Sequence, residues 1–143
     1  MPVAVKRIYE KPARSDGARV LVDRLWPRGV KKSAAALDAW LRELAPSDEL
    51  RQWFHSCPDG WAAFRKRYLK ELSNAEAADA LAKLYHFAAG RKKLTLLFAA
   101  KNEQRNNAVV LKDLLEGMRK PPTGTGPGAA GKARQPKVMR MRR

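Results

Sequence analysis

Two short apolar runs constrain this chain more than any other feature, because each stops abruptly in a cluster of polar groups. Val20-Leu21-Val22 goes straight into Asp23, Arg24, Trp26 and Arg28, and Pro27 and Gly29 break the chain there. Residues 94–99 (LTLLFA) lead in the same way into Lys101, Asn102, Arg105 and Asn106. Continuous apolar runs of this length, bounded by chain breakers, read as strands buried on both faces. Such strands belong to parallel sheets covered by helices. In open sheets of that kind, ligands bind beyond the C-terminal strand ends, near helix N-termini. The two segments therefore predict a fold and a pocket together.

The rest of the chain supplies the helices. Residues 4–9 alternate loosely between Pro2 and Pro12, as a further strand would. Leu37, Trp40, Leu41 and Leu44 fall at i, i+3, i+4 and i+7, which predicts a helix over 34–44 with Ser33 as its N-cap. Pro46 ends it, and Ser47 caps the next helix, which carries Asp48 and Glu49 at its positive end. Trp61, Phe64, Tyr68 and Leu72 make one stripe along a helix over 61–72, a pattern that reads as core. Ser73 and Glu76 form a capping-box pair for a helix reaching about residue 89, and residues 106–118 form the last helix. The order β, β, helices, β, α predicts an α/β fold: a small, mainly parallel three- or four-stranded sheet packed with about five helices.

Charge divides the chain into two parts. The formal net charge is +16, yet none of the 14 acidic residues lies beyond Glu116. Residues 119–143 hold 8 of the 30 Lys and Arg, so half of the excess sits in the last 25 residues. That segment is rich in Pro and Gly and lacks aromatic residues, so it cannot offset the ~1–2 kcal/mol per residue that backbone ordering costs. The expected organisation is a folded domain over 1–118 and a disordered basic tail over 119–143. Such a tail either solubilises the protein or reaches for nucleic acid.

Several chemistries are absent from the sequence. Cys57 is the single cysteine, which excludes an intrachain disulfide and a cysteine-based metal cluster. Two distant histidines make no metal site, and no Gly-rich phosphate loop, nucleophile elbow or dinucleotide fingerprint is present. No metal and no cofactor are expected. The N-terminus lacks the apolar core of a signal peptide, and no apolar run approaches the ~20 residues that span a bilayer. The expectation is a cytoplasmic protein that does not enter membranes.

If the two principal strands are parallel neighbours, Asp23, Arg24, Arg28, Lys101, Asn102 and Asn106 converge on one crevice; Trp26 is a further candidate ligand-binding residue, or an exposed aromatic for a protein partner. Arg can hold a carboxylate or phosphate with a bidentate fork, and Lys acts as a point charge, so the expected ligand is a small anion. The plainer alternative is that Asp23 pairs with Arg24, Arg28 or Lys101 and Asn106 only caps a helix. His55, near a helix end, is the one candidate catalytic group, with an unperturbed pKa of about 6.5 suited to proton transfer. His86 reads as structural. Binding and catalysis both remain open on these residues, as does a nucleic-acid-associated role carried by the tail.

The segments RVLVDRLWPRG, WFHSCPDGWAAFRKRYLKEL and LTLLFAAKNEQRNNAVVLKDLL resemble, in this order, the YeaO-like family, catalogued as domain of unknown function 488. The resemblance covers about residues 3–117 and implies a small bacterial α/β protein, without an established activity. Matching positions include Asp23, Arg24, Trp26, Arg28, His55, Lys101, Asn102 and Asn106. Two positions depart from it: many relatives carry Asp where Cys57 stands, and His or Gln where Arg105 stands. A member lacking those groups is expected to bind without turnover if the family chemistry uses them.

Overall fold

The computed structural model describes residues 2–90 and 93–118. The tail over 119–143 lies outside the described residues. Four strands, Val3–Arg7 (β1), Ala18–Leu21 (β2), Ala39–Trp40 (β3) and Leu94–Phe98 (β4), form one sheet in the order β1-β4-β2-β3. Every pairing is parallel. β4 lies between β1 and β2, and all five of its residues are buried, which is why it reads as an unbroken apolar run.

Five α-helices surround the sheet: Lys32–Ala35 (α1), Asp48–Ser56 (α2), Trp61–Glu71 (α3), Ala75–Gly90 (α4) and Asn107–Glu116 (α5). Strand periodicity divides the apolar residues between two faces. Val20, Val22, Leu94, Leu96 and Phe98 join Phe64, Tyr68, Leu81, Leu84 and Leu111 in the larger core, under α3, α4 and α5. Leu21 and Leu97 point the other way, to a small cluster with Ile8 and Ala35 that Trp26, Val30, Leu37 and Trp40 cover. One face thus carries the main helices, and the other is closed by α1 and loops.

On that second face, polar groups take the place of apolar ones. The Asp16 carboxylate accepts from Lys6 Nζ at 3.1 Å and is paired with Arg19, and both Asp16 and Arg19 are buried. Thr95 Oγ1 donates to the Asp16 carbonyl at 2.7 Å. Each nitrogen of the Arg19 guanidinium has a hydrogen-bond partner, as burial of the ion pair demands. It ties the loop before β2 to β1 and β4.

The helix expected over 34–44 is largely overturned. It lasts only for α1, has Lys31 rather than Ser33 at the cap position, and ends at Ala36, whose backbone is left-handed at φ 52 and ψ 49. The Arg19 guanidinium donates to the Ala35 carbonyl at 2.8 Å, and its Nε reaches the Ala36 carbonyl at 3.2 Å. Asp38 then accepts from Arg19 N–H at 2.8 Å, and Ala39–Trp40 pairs with β2 as an edge strand. The open edge of β2 and the buried guanidinium outweigh local helical periodicity. Leu41 and Leu44 are still buried, by way of a single 3-10 turn at Arg42–Leu44.

The other boundaries follow their caps. Ser47 accepts from Leu50 N–H at 3.1 Å, as expected. At α4, Asn74 and not Ser73 is the cap: its Oδ1 accepts from Ala77 N–H at 2.9 Å, whereas Ser73 Oγ donates to the Lys70 carbonyl. Among the described residues, no helix is long and apolar enough to cross a membrane.

Candidate functional site

Because β2 and β4 are parallel neighbours, their C-terminal ends emerge side by side. Asp23 leaves β2 there and is held by β4 and α5. Its Oδ2 accepts from Ala99 N–H at 2.9 Å, and its Oδ1 accepts from Asn107 Nδ2 at 3.2 Å. The same Asn107 amide donates to the Val22 carbonyl at 3.0 Å. No Lys or Arg among the described residues lies within ion-pair distance of Asp23. Burial raises its carboxyl above the ordinary value, opposed by the hydrogen bonds from Ala99 and Asn107 and by the charge of Arg51. Its partners are thus neutral amides, not the cations that the sequence offers nearby.

The loop after β4 is internally organised. Asn102 Oδ1 accepts from Gln104 and Arg105 N–H, both at 2.9 Å, and its carbonyl accepts from Asn106 Nδ2 at 2.8 Å. Asn106 Oδ1 caps α5 by accepting from Val109 N–H at 3.1 Å. Both side chains are therefore committed to shaping the loop. Lys101 is exposed. Trp26 is half-buried, and its indole donates to the Val30 carbonyl at 2.7 Å. Arg28 is exposed, and its carbonyl accepts from Tyr9 Oη at 3.1 Å.

Arg24 turns away from this loop, toward α2. Its Nε lies 3.9 Å from Asp48 Oδ1, a loose contact between two exposed side chains. There it lines a cleft of about 650 Å³ with Arg42, Lys70, Glu43, Glu71 and Ser47. Arg24 follows β2 and Arg42 follows β3, so the cleft opens beyond the C-terminal ends of this strand pair rather than between β2 and β4. Glu71 is anchored to the cleft wall, accepting from Ser47 N–H at 2.8 Å and Ser47 Oγ at 2.6 Å. Below it, the fully buried Tyr68 hydroxyl donates to the Leu44 carbonyl. Burial pushes the Tyr68 hydroxyl well above its usual pKa, with further contributions from the charges of Asp23 and Glu71.

His55 is exposed in the last turn of α2. It is seven residues from Asp48, which is about 10 Å along a helix axis. The residues around Arg24 and Asp23 that the sequence does not single out are Asn107, Arg42 and Lys70; Ser47 reads there only as a helix cap. Asn107 adjoins a cap that was singled out, and that adjacency is its only signal in the sequence. Arg42 and Lys70 carry no signal at all, being ordinary cations on elements far apart in sequence. Among the described residues, no group of three or more His, Cys, Asp or Glu side chains could hold a metal ion.

Comparison with known proteins gives the lineage. The chain is 46% identical over 118 residues to the uncharacterized protein YeaO of Escherichia coli K12, spanning 82% of this chain and 100% of that one. It is 41% identical over 115 residues to the uncharacterized proteins Mb3100c of Mycobacterium bovis and Rv3073c of Mycobacterium tuberculosis, spanning 80% of this chain and 94% of theirs. No solved structure gives a significant match. A family model described as the inactive DUF488-N3 subclade matches residues 2–127. The chain belongs to the YeaO-like DUF488 family, within the DUF488-N3 subclade described as inactive.

Proposed function

We propose that this protein binds a small anionic ligand, a phosphate or carboxylate, beside Arg24 and does not turn it over. The observation that carries this reading is the lining of the 650 Å³ cleft, where Arg24, Arg42 and Lys70 meet. The Arg24 contact with Asp48 is exposed and long, so giving it up for a ligand costs little. The carboxylates of Glu43 and Glu76 line the same cleft and favour a ligand that carries hydrogen-bond donors beside its acid group. Asp23, Trp26, Asn102 and Asn106 serve as the frame in this proposal, and Arg28 and Lys101 as exposed cations near it. The subclade's description as inactive, together with Cys57 and Arg105 at two departing positions, supports binding without chemistry. His55 has no proton-transfer role in it.

Melting curves with and without phosphate or citrate test the proposal. A ligand at 100 times its Kd stabilises by about 2.7 kcal/mol through linkage, so the melting temperature should rise. Arg24→Ala should abolish the rise. Indifference of the native protein, or an equal rise in the variant, would reject the pocket.

A second reading, nucleic-acid association through the tail, rests on the 8 basic and no acidic residues in 119–143. Ending the chain after Met118 should remove most retention on DNA if the tail supplies the affinity.

A further inference from the structure

On the α1 side of the sheet, away from the Asp16 ion pairs with Lys6 and Arg19, exposed cations rest on aromatic rings. Arg42 Cζ lies 4.3 Å from the Trp40 ring centroid and Lys32 Nζ lies 5.7 Å from that of Trp26. The two indoles meet edge to face with centroids 5.3 Å apart. Both indole N–H groups are used internally, Trp26 on the Val30 carbonyl and Trp40 on the Asp23 carbonyl, each at 2.7 Å, so the rings are fixed. Tyr9 extends the array, with its hydroxyl on the Arg28 carbonyl and Arg7 over its ring at 5.0 Å. Arg7 itself is spent on the carbonyls of Ala99 and Ala100. The result is a ribbon of alternating rings and cations.

Charge along the ribbon is one-sided. Apart from Arg24, which faces Asp48, residues 24–42 contain four Lys and Arg, all exposed, and a single acid, Asp38, which accepts from Arg19 N–H; Glu10 and Glu43 flank the ribbon at its ends. Among the described residues, no carboxylate lies within ion-pair distance of Arg28, Lys31, Lys32 or Arg42. A cation over a ring has already shed part of its hydration but keeps donors directed outward, which suits it to a phosphate. The cations are spread along a surface, whereas a small anion needs donors that converge. Leu25 and Tyr9 are the only large apolar side chains exposed among the described residues, too few for the apolar centre of a protein interface.

We propose that this ribbon is a docking surface for the phosphodiester backbone of a nucleic acid. Cations held in place along a surface meet successive phosphates without reading sequence. The surface belongs to the described residues and meets the cleft at Arg42, but the cleft lining includes neither Arg28 nor Lys32.

The test is titration of a labelled single-stranded oligothymidylate with the full chain across a salt series. Arg28→Gln/Lys32→Gln is compared with Lys66→Gln/Lys83→Gln, which removes the same charge from exposed positions on α3 and α4, across the sheet. Each phosphate contact to a single strand contributes about 0.7 to the salt slope, so the ribbon variant should be shallower by about 1.4. The control variant should keep the native slope. An unchanged slope in the ribbon variant assigns binding to the tail and overturns the proposal. Equal losses in both variants, which would report net charge alone, or no binding by the native chain at low salt, also overturn it. Both variants keep Arg24, Arg42 and Lys70, so the phosphate-dependent melting shift succeeds or fails separately on the same samples.

Discussion

Asn107 holds Asp23 across 84 residues of sequence: one amide group donates to the Asp23 carboxylate at 3.2 Å and to the Val22 carbonyl at 3.0 Å. This contact locks the end of β2 to the first turn of α5. It fixes where the backbone leaves the sheet, and hence where Arg24 starts. The geometry beside the cleft depends on a residue that does not line it.

Asn107→Ala should therefore destabilise the protein by about 1–3 kcal/mol, the cost of leaving a buried carbonyl and a carboxylate oxygen without a donor. Urea midpoints check this. Asn107→Asp should be worse than Ala near neutral pH, since it sets a second carboxylate against Asp23.

The two carboxyl groups that flank β2, Asp16 before it and Asp23 after it, should respond to acid in opposite senses. Asp16 titrates below its ordinary value: burial opposes ionisation, but the hydrogen bond from Ala13 N–H and the groups of Lys6 and Arg19 outweigh it. Its contribution is present above the unfolded pKa, near 3.8, and is lost as pH falls through the folded value. Asp23 titrates above 3.8, so its contribution is greatest below that pH and is lost as pH rises through the folded value. The stability advantage of the native chain over Asp16→Asn should shrink between pH 5 and pH 3, whereas its advantage over Asp23→Ala should grow, read as denaturant midpoints across that range. At neutral pH, Asp16→Ala should cost about 3–5 kcal/mol, because Arg19 is left buried without its partner.

Gly17 is required at the entry to β2. Its φ is +68, and a Cβ there would lie 2.2 Å from the Lys93 carbonyl oxygen, a backbone atom just before β4. Gly17→Ala should lower stability by at least ~2 kcal/mol and shift the melting temperature by ten degrees or so, at about 4–8 °C per kcal/mol for a domain near this size.

Ala36 is the converse case. It holds a left-handed conformation at φ 52 with a Cβ attached. Ala36→Gly should stabilise the protein by up to ~1 kcal/mol, since relief of that conformation outweighs the added freedom of the unfolded chain. A lower urea midpoint would show that the Arg19 contacts impose no strain there.

Much of the α/β architecture is written locally. The LTLLF run marks the central strand because burial on both faces demands apolar residues at every position. Ser47 and Asn106 mark helix starts because a short polar side chain satisfies an otherwise free N–H within its own turn. Even Asp23 and Arg24 stand out, since polar residues gather where a strand leaves the core.

Tertiary structure decided the rest. Residues 37–44 have helical spacing, yet the free edge of β2 takes Ala39–Trp40 as a strand, and Arg19 claims the carbonyls that would have continued the helix. Arg24 was legible as a strand-end cation, but its companions Arg42 and Lys70 come from a 3-10 turn and from α3. Periodicity and capping are energies of neighbours along the chain, so sequence alone determined them. Which side of Asp23 receives an amide, and which cations share a cleft with Arg24, depend on the strand order β1-β4-β2-β3, and that order is set by contacts between segments that have no sequence adjacency.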